Sequence, residues 1–186
     1  MNREFFSYLI TDPAFCTHDA LVFEQTLETA FSKHQPNFAL YRDKDFDDYE
    51  TLAEIFVTVC KRFGVKAMLH NHAPLAARLG AFGVHYSSDK LCSMGLGDKG
   101  LFRVLSCHKK EEIVFAKEQG LDAVTYSPIF DSPNKPKPVG LESLKEISGT
   151  IALPIIALGG ITTPKHIEAV QKSGASGFAS IRYFFS

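Results

Sequence analysis

Leu153-Pro-Ile-Ile-Ala-Leu-Gly-Gly-Ile-Thr-Thr-Pro164 places a strand, a tight turn and a helix start in one stretch. Residues 154–158 form a short β-branched run, Gly159-Gly160 interrupts it, and Thr162 or Thr163 precedes Pro164 as a helix cap with proline in the first turn. The segment that follows carries Ile167, Ala169 and Val170 at helical spacing and stops at Gly174, after which residues 177–181 read as another strand. Strand, turn, helix and strand make one βα unit, and repetition of that unit means a parallel sheet.

The repetition is visible upstream. Strand candidates lie at residues 5–11, 37–41, 66–70, 82–86, 102–106 and 123–127, which with the last two makes about eight. Between the second and third, Asp47 or Asp48 caps a helix whose stripe is Leu52, Ile55, Phe56, Val59 and Phe63, with Gly64 as its stop. Residues 19–31 and 109–119 read as helices, the latter ended by Gly120, and residues 141–147 as one short helical piece. About eight strands, each followed by a helix, predict an α/β fold, a TIM (β/α)8 barrel formed as one domain over residues 1–186. The chain is short for that architecture, where ~250 residues is typical. The sequence runs out at Tyr183-Phe-Phe-Ser186, directly after the eighth strand, so the final helix is expected to be missing. An aromatic end without a covering helix predicts that a partner subunit packs there, giving a homo-oligomer, a dimer in the simplest case.

Composition narrows the function classes. The chain has 186 residues, 45% hydrophobic and 22% charged, enough for a core without disulfide or metal staples. Lys+Arg 20 against Asp+Glu 21 leaves a net charge of -1, so there is no global basic field for nucleic acid or a membrane surface. Cys16, Cys60, Cys92 and Cys107 are widely spaced with no C-x-x-C pair, and no secretory segment precedes them; free thiols in the cytoplasm are expected. No apolar run approaches the ~20 residues that cross a bilayer.

In a parallel barrel the ligand site lies at the C-terminal strand ends. Those ends carry Arg42 and Lys44 (second strand), Asn71 and His72 (third), His85 and Asp89 (fourth), Ser106 and His108 (fifth), Ser132, Asn134 and Lys135 (sixth), Gly159-Gly160 (seventh), and Ile181 and Arg182 (eighth). Two glycines after strand seven let backbone N–H groups approach phosphate oxygens, although an isolated pair also serves as a plain tight turn. Arg42 and Lys44, two apart, point to one side and suit a diphosphate, unless Asp43, Asp45, Asp47 and Asp48 neutralise them as a solvated loop. His70-Asn71-His72 with His85 and Asp89 has the composition of a metal site but lacks further converging ligands, and His70 and His85 read more simply as half-buried strand histidines.

These strand ends resemble the thiamine-phosphate synthase / TenI family over nearly the whole chain. The resemblance is carried by Tyr41-Arg-Asp-Lys44, the Asn71 turn leading to Ala76 and Gly83-Val-His85, Leu105-Ser-Cys-His108, Ser127-Pro-Ile-Phe-Asp-Ser-Pro-Asn-Lys135 and Leu153-Pro-Ile-Ile-Ala-Leu-Gly-Gly-Ile161. In a synthase of this kind a pyrimidine diphosphate ionises and its methylene is attacked by the nitrogen of a thiazole phosphate. The resemblance implies Arg42, Lys44, Asn71 and Lys135 at the diphosphate, Ser106 beside the pyrimidine, and Gly159, Gly160, Ser132, Ile181 and Arg182 among the substrate and phosphate contacts. It implies Mg2+ for the synthase and no cofactor for the TenI branch, whose reaction is tautomerisation of a thiazole carboxylate phosphate.

Departures from the pattern decide between branches. His72 stands where the synthases place a magnesium carboxylate, and imidazole is a poor ligand for that ion; Asp89 is the substitute candidate. His108 matches the position of the TenI acid/base and suits proton transfer near neutral pH. Arg182 replaces an expected small residue and either supplies charge to a phosphate or blocks the pocket. On these grounds the tautomerase is the first expectation, a Mg2+-dependent thiamine-phosphate synthase the second, and a catalytically silent thiamine-phosphate-binding regulator the third.

Overall fold

Eight short strands pair in parallel in chain order and β8 closes on β1. They are β1 (Phe6–Ile10), β2 (Phe38–Tyr41), β3 (Lys66–His70), β4 (Gly83–Tyr86), β5 (Phe102–Cys107), β6 (Ala123–Tyr126), β7 (Ile155–Leu158) and β8 (Gly177–Ser180). The structure, a computed structural model, describes residues 5–44, 46–93, 98–133 and 135–186, apart from the side chains of 91–93. The ring is the expected (β/α)8 barrel, and register places side chains from neighbouring strands at one level, as where His70 on β3 pairs with His85 on β4.

Strand alternation divides the core in two. Tyr8, Leu40, Met68, Val104, Ala123, Ile156 and Ala179 fill the inside of the barrel, while Leu9, Ala39, Leu69, Val84, Leu105 and Val124 face outward against the helices. The N-terminal end is plugged by Phe6, Phe38, Phe82 and Phe102, with Lys66 Nζ 4.9 Å from the Phe38 ring and 5.0 Å from the Phe82 ring. That plug leaves the opposite end for a ligand.

Among the described residues six α-helices cover the sheet: α1 (Ala20–His34), α2 (Tyr49–Phe63), α3 (Ala73–Leu79), α4 (Lys110–Glu118), α5 (Gly140–Thr150) and α6 (Pro164–Lys172). Their ends follow local chemistry. Asp19 accepts the Val22 N–H at 3.0 Å and Thr163 accepts the His166 N–H at 3.3 Å, so both act as side-chain caps. Asp48 occupies the cap position of α2 without a capping bond. Helix α1 runs to His34, beyond the expected Phe31, because its stop is Gln35 at φ 45 and not a glycine that the sequence would reveal. Strand β4 is followed by a 3-10 helix (Ser88–Ser93), which corrects the expectation of an α-helix after every strand.

No α-helix follows β8 among the described residues, as expected. The aromatic end nevertheless has a use within the chain. Tyr183 and Phe184 pack on Phe178 of β8 (5.5 and 5.8 Å between centroids) and on His34 of α1 (5.3 and 5.4 Å), and Phe184 is only 2% exposed. Phe185 stacks on Phe15 at 5.8 Å, and Lys33 Nζ donates to the Ser186 carbonyl at 2.6 Å. These rings cover part of the outer face of β8 within the chain. No helix among the described residues is long and apolar enough to cross a membrane.

Candidate active site

A cavity of about 490 Å³ opens at the C-terminal ends of the strands. Arg42 and Lys44 reach it from the segment after β2, and Ser132 and Lys135 from the segment after β6, four strands away around the ring. Gly159, Gly160, Ile181 and Arg182 form the wall between β7 and β8; Ser106, His108 and Asp89 complete the expected residues that line it. Asn134 lies outside the described residues.

The cationic side is anchored through its backbone. The Thr11 hydroxyl accepts the Arg42 N–H at 2.9 Å, fixing the start of the loop to β1. The Arg42 guanidinium lies 3.9 Å from the Asp12 carboxylate, with both side chains partly exposed, a weak pair that a phosphate can displace. Asp43 turns away: its Oδ2 lies 2.7 Å from His18 Nε2, and the His18 ring stacks on Phe46 at 4.0 Å. Asp43 thus ties the β1 and β2 loops together, a function that its place between Arg42 and Lys44 did not suggest.

Opposite, the glycine pair is required by geometry. Gly159 and Gly160 hold φ 98 and 69, and a Cβ on Gly160 would stand 2.6 Å from the Asp131 carbonyl oxygen and from Phe130 Cβ. The segment after β6 clamps the turn: Ile129 N–H donates to Leu158 O at 2.9 Å and Phe130 N–H to Gly159 O at 3.0 Å. Among the described residues the N–H groups of Gly160 and Ile161 find no acceptor, and both residues line the cavity. Free backbone donors in a glycine turn before a helix make an anion nest.

The floor is polar and neutral. Tyr8 is buried, which pushes its phenol well above the usual range, so it keeps its proton, and His85 Nδ1 at 3.0 Å is the acceptor for that proton among the described residues. His85 then carries its own proton on Nε2, 3.0 Å from Ser106 Oγ, and the Ser106 hydroxyl is left to donate into the cavity. Burial holds His85 neutral, with a pKa of about 3. His108 is oriented similarly: its Nδ1 lies 3.0 Å from the Ser127 carbonyl, so that nitrogen holds a proton and Nε2 is left without a partner among the described residues.

Two expected contacts are elsewhere. The Asn71 side chain is taken up by the next loop, its Oδ1 accepting the Ser87 N–H at 2.9 Å and its Nδ2 donating to Ser87 Oγ at 2.9 Å; with φ 60 it shapes the turn after β3 and does not line the cavity. His72 also lies outside the cavity lining, its ring stacked on Tyr49 at 4.4 Å. Conversely Asp12, His70 and Ser87 line the cavity without having been singled out as ligand contacts. Asp12 was findable, since it follows the end of β1 just as Arg42 follows β2.

Among the described residues no three His, Cys, Asp or Glu side chains gather as a metal cage. Asp89 lines the cavity, and the Ser87 hydroxyl bonded to it holds its carboxyl below the usual range, so it is an ionised oxygen donor at neutral pH. One carboxylate suits a magnesium ion that shares a phosphate-bearing ligand.

Comparison with known proteins agrees with this geometry. The family described as "Thiamine monophosphate synthase" matches residues 7–184. The thiamine-phosphate synthase of Syntrophomonas wolfei is 28% identical over 97% of this chain and 88% of its own, and that of Nitrosococcus oceani is 31% identical over 78% and 70%. A thiamine phosphate pyrophosphorylase from Pyrococcus furiosus superposes with TM-score 0.83 at 19% identity, covering 96% of this chain and 86% of that one, which shows the shared fold. With the family match spanning all eight strands, the chain belongs to the thiamine monophosphate synthase family, enzymes of thiamine biosynthesis.

Proposed function

We propose that this chain is a thiamine-phosphate synthase, joining a pyrimidine diphosphate to a thiazole phosphate with release of diphosphate. One observation carries the reading: the cavity has anion-holding groups on two sides, the side-chain cations Arg42 and Lys44 after β2 and the backbone nest at Gly159-Gly160 after β7, with Lys135 reaching in from the segment after β6. A thiazole carboxylate phosphate would set its phosphate in the nest and needs one cation for its carboxylate, so three cations in the cavity favour a diphosphate. The synthase names of the relatives support the same order of preference, which reverses the one that His72 and His108 suggested from sequence.

The chemistry is a substitution at carbon. The methylene carbon–oxygen bond breaks with its electron pair leaving on diphosphate, and the thiazole nitrogen lone pair forms the new carbon–nitrogen bond. Arg42, Lys44 and Lys135 stabilise the departing charge, an electrostatic contribution that grows as the bond breaks. The Ser106 hydroxyl, set as a donor by Tyr8 and His85, orients the pyrimidine, and the N–H groups of Gly160 and Ile161 hold the thiazole phosphate. Asp89 is the protein donor for Mg2+, which supplies further neutralisation of the diphosphate when bound.

No proton moves in this coupling, so no general base is needed. His108→Ala is therefore expected to lower the coupling rate less than tenfold, because only positioning is lost. A tautomerase needs a proton shuttle, and the free Nε2 of His108 at the cavity wall favours that as the second reading. Under it, the same variant loses tautomerisation while thiazole phosphate affinity is kept. Measuring both reactions on wild type and variant separates the readings: coupling that survives the substitution supports the synthase, and a chain that only tautomerises, and only with His108, overturns it.

Arg182 stands at the rim, exposed and with no carboxylate partner among the described residues. Its charge adds to the nest beside it. Arg182→Ser should raise KM for thiazole phosphate by about tenfold with kcat nearly unchanged, since a phosphate contact made equally in ground and transition state affects binding alone. A gain in pyrimidine diphosphate affinity instead would mean that Arg182 obstructs the pocket.

A further inference from the structure

The hydrogen bonds around His70 fix its tautomer. Ser87 N–H donates to Asn71 Oδ1 at 2.9 Å, and because a backbone N–H can only donate, the Asn71 carboxamide has one orientation. Its NH2 end then faces Ser87 Oγ at 2.9 Å and His70 Nε2 at 3.3 Å. An NH2 group can only donate, so Nε2 must be the bare acceptor nitrogen and the imidazole proton sits on Nδ1. A proton on Nε2 would set donor against donor.

That leaves Nδ1–H as a donor with no acceptor among the described residues. His70 is 7% exposed, yet Nδ1 is not one of the sealed, unpartnered atoms, which are His34 Nε2, Tyr41 OH and Ser148 Oγ. The open space that His70 borders is the cavity. On the neighbouring strand Tyr41 pairs with Leu69, so Arg42, the first residue after β2, follows on beside His70 at the cationic side of the site. A donor left bare at a partly desolvated site costs binding-competent stability until a ligand supplies the acceptor.

We propose that His70 is a substrate-binding residue, donating from Nδ1 to an anionic oxygen of the diphosphate-bearing substrate and so favouring that substrate over monophosphates. The assignment to a diphosphate rests on the synthase reading; the presence of a free donor does not. Asn71 and Ser87 are its positioning residues, which gives the Asn71 turn a task at the site without contact with substrate.

Two measurements test this. Nitrogen NMR of the labelled imidazole reports which ring nitrogen of His70 carries the proton in the unliganded wild-type protein, and Nδ1–H is expected; an Nε2–H tautomer overturns the proposal without any variant being made. Calorimetric titration with inorganic diphosphate then compares wild type with His70→Leu and His70→Asn, whose carboxamide can offer N–H near the Nδ1 position. The leucine variant is expected to lose about 10- to 100-fold in diphosphate affinity and to raise KM for pyrimidine diphosphate alike, with KM for thiazole phosphate unchanged and asparagine recovering most of the loss. Unchanged affinity in the leucine variant, or no diphosphate binding by wild type, overturns the proposal. Diphosphate binding that depends on His70 in a chain that forms no thiamine phosphate would refute the synthase reading alone, and coupling indifferent to His70 would refute this inference alone.

Discussion

Lys135→Ala is expected to lower kcat for thiamine phosphate formation by about 10²- to 10³-fold, the usual effect of removing one group aimed at charge that develops in the transition state. Lys135 is exposed on the segment after β6, lines the cavity, and has no carboxylate partner among the described residues. Its backbone N–H donates to Ser132 O at 3.2 Å, which shapes the turn that presents the side chain. An ammonium with no internal partner keeps its full charge for the ligand. Because the diphosphate becomes more negative at its bridging oxygen as the bond breaks, the loss should fall on kcat more than on KM for the pyrimidine diphosphate, and KM for thiazole phosphate should not move. Lys135→Arg retains charge with a different reach and should be intermediate. Steady-state kinetics with each substrate varied separately checks this, and a kcat within tenfold of wild type would remove Lys135 from the leaving group.

Acidification should destabilise the fold well before ordinary carboxylates titrate. Burial lowers His70 to about 4 and His85 to about 3, from an ordinary value of 6.5. Between those limits the unfolded chain binds protons that the folded chain refuses, so the stabilisation from keeping both rings neutral is full above about pH 6.5 and declines as pH falls. Each histidine contributes a slope of roughly 1.4 kcal/mol per pH unit, so the pair removes about 4 kcal/mol between about pH 6.5 and about pH 5. That is a large part of a typical domain stability of about 5–15 kcal/mol. Urea midpoints across this range measure it directly. His70→Leu should remove about half the slope, and a flat profile in wild type would mean that the two rings are not held neutral in the folded chain.

The barrel was legible because most strands are short runs with β-branched or aromatic residues set off from a helical period. Strand β3 has the expected limits, and β8 ends one residue early because Ser180 Oγ donates to Ile161 O at 2.7 Å and accepts the Tyr183 N–H at 3.2 Å, bending the chain away. Helix α3 was missed because Ala73–Leu79 is too short to display a period, although Pro74 in its first turn and Gly80 at φ 64 are ordinary boundary signals. The charged strand ends were legible for a different reason: a parallel barrel sends its C-terminal loops to one mouth whatever their sequence.

What the sequence concealed are pairings across loops. Asp43 and His18 are 25 positions apart, and Asn71 and Ser87 are 16 apart; nothing local marks either pair. The same holds for His70, whose role depends on the orientation of the Asn71 amide. The aromatic end likewise has a partner distant in the chain: His34, together with Phe178, supplies the surfaces on which Tyr183 and Phe184 rest.

The central claim is that the two anion-holding groups of the cavity serve two different substrates in one coupling reaction. Purified chain supplied with pyrimidine diphosphate and thiazole phosphate, with and without Mg2+, tests it directly. The synthase account predicts thiamine phosphate and an equal amount of diphosphate, dependent on the metal. Folded protein that binds thiazole phosphate and yields no thiamine phosphate in the presence of Mg2+ would contradict it.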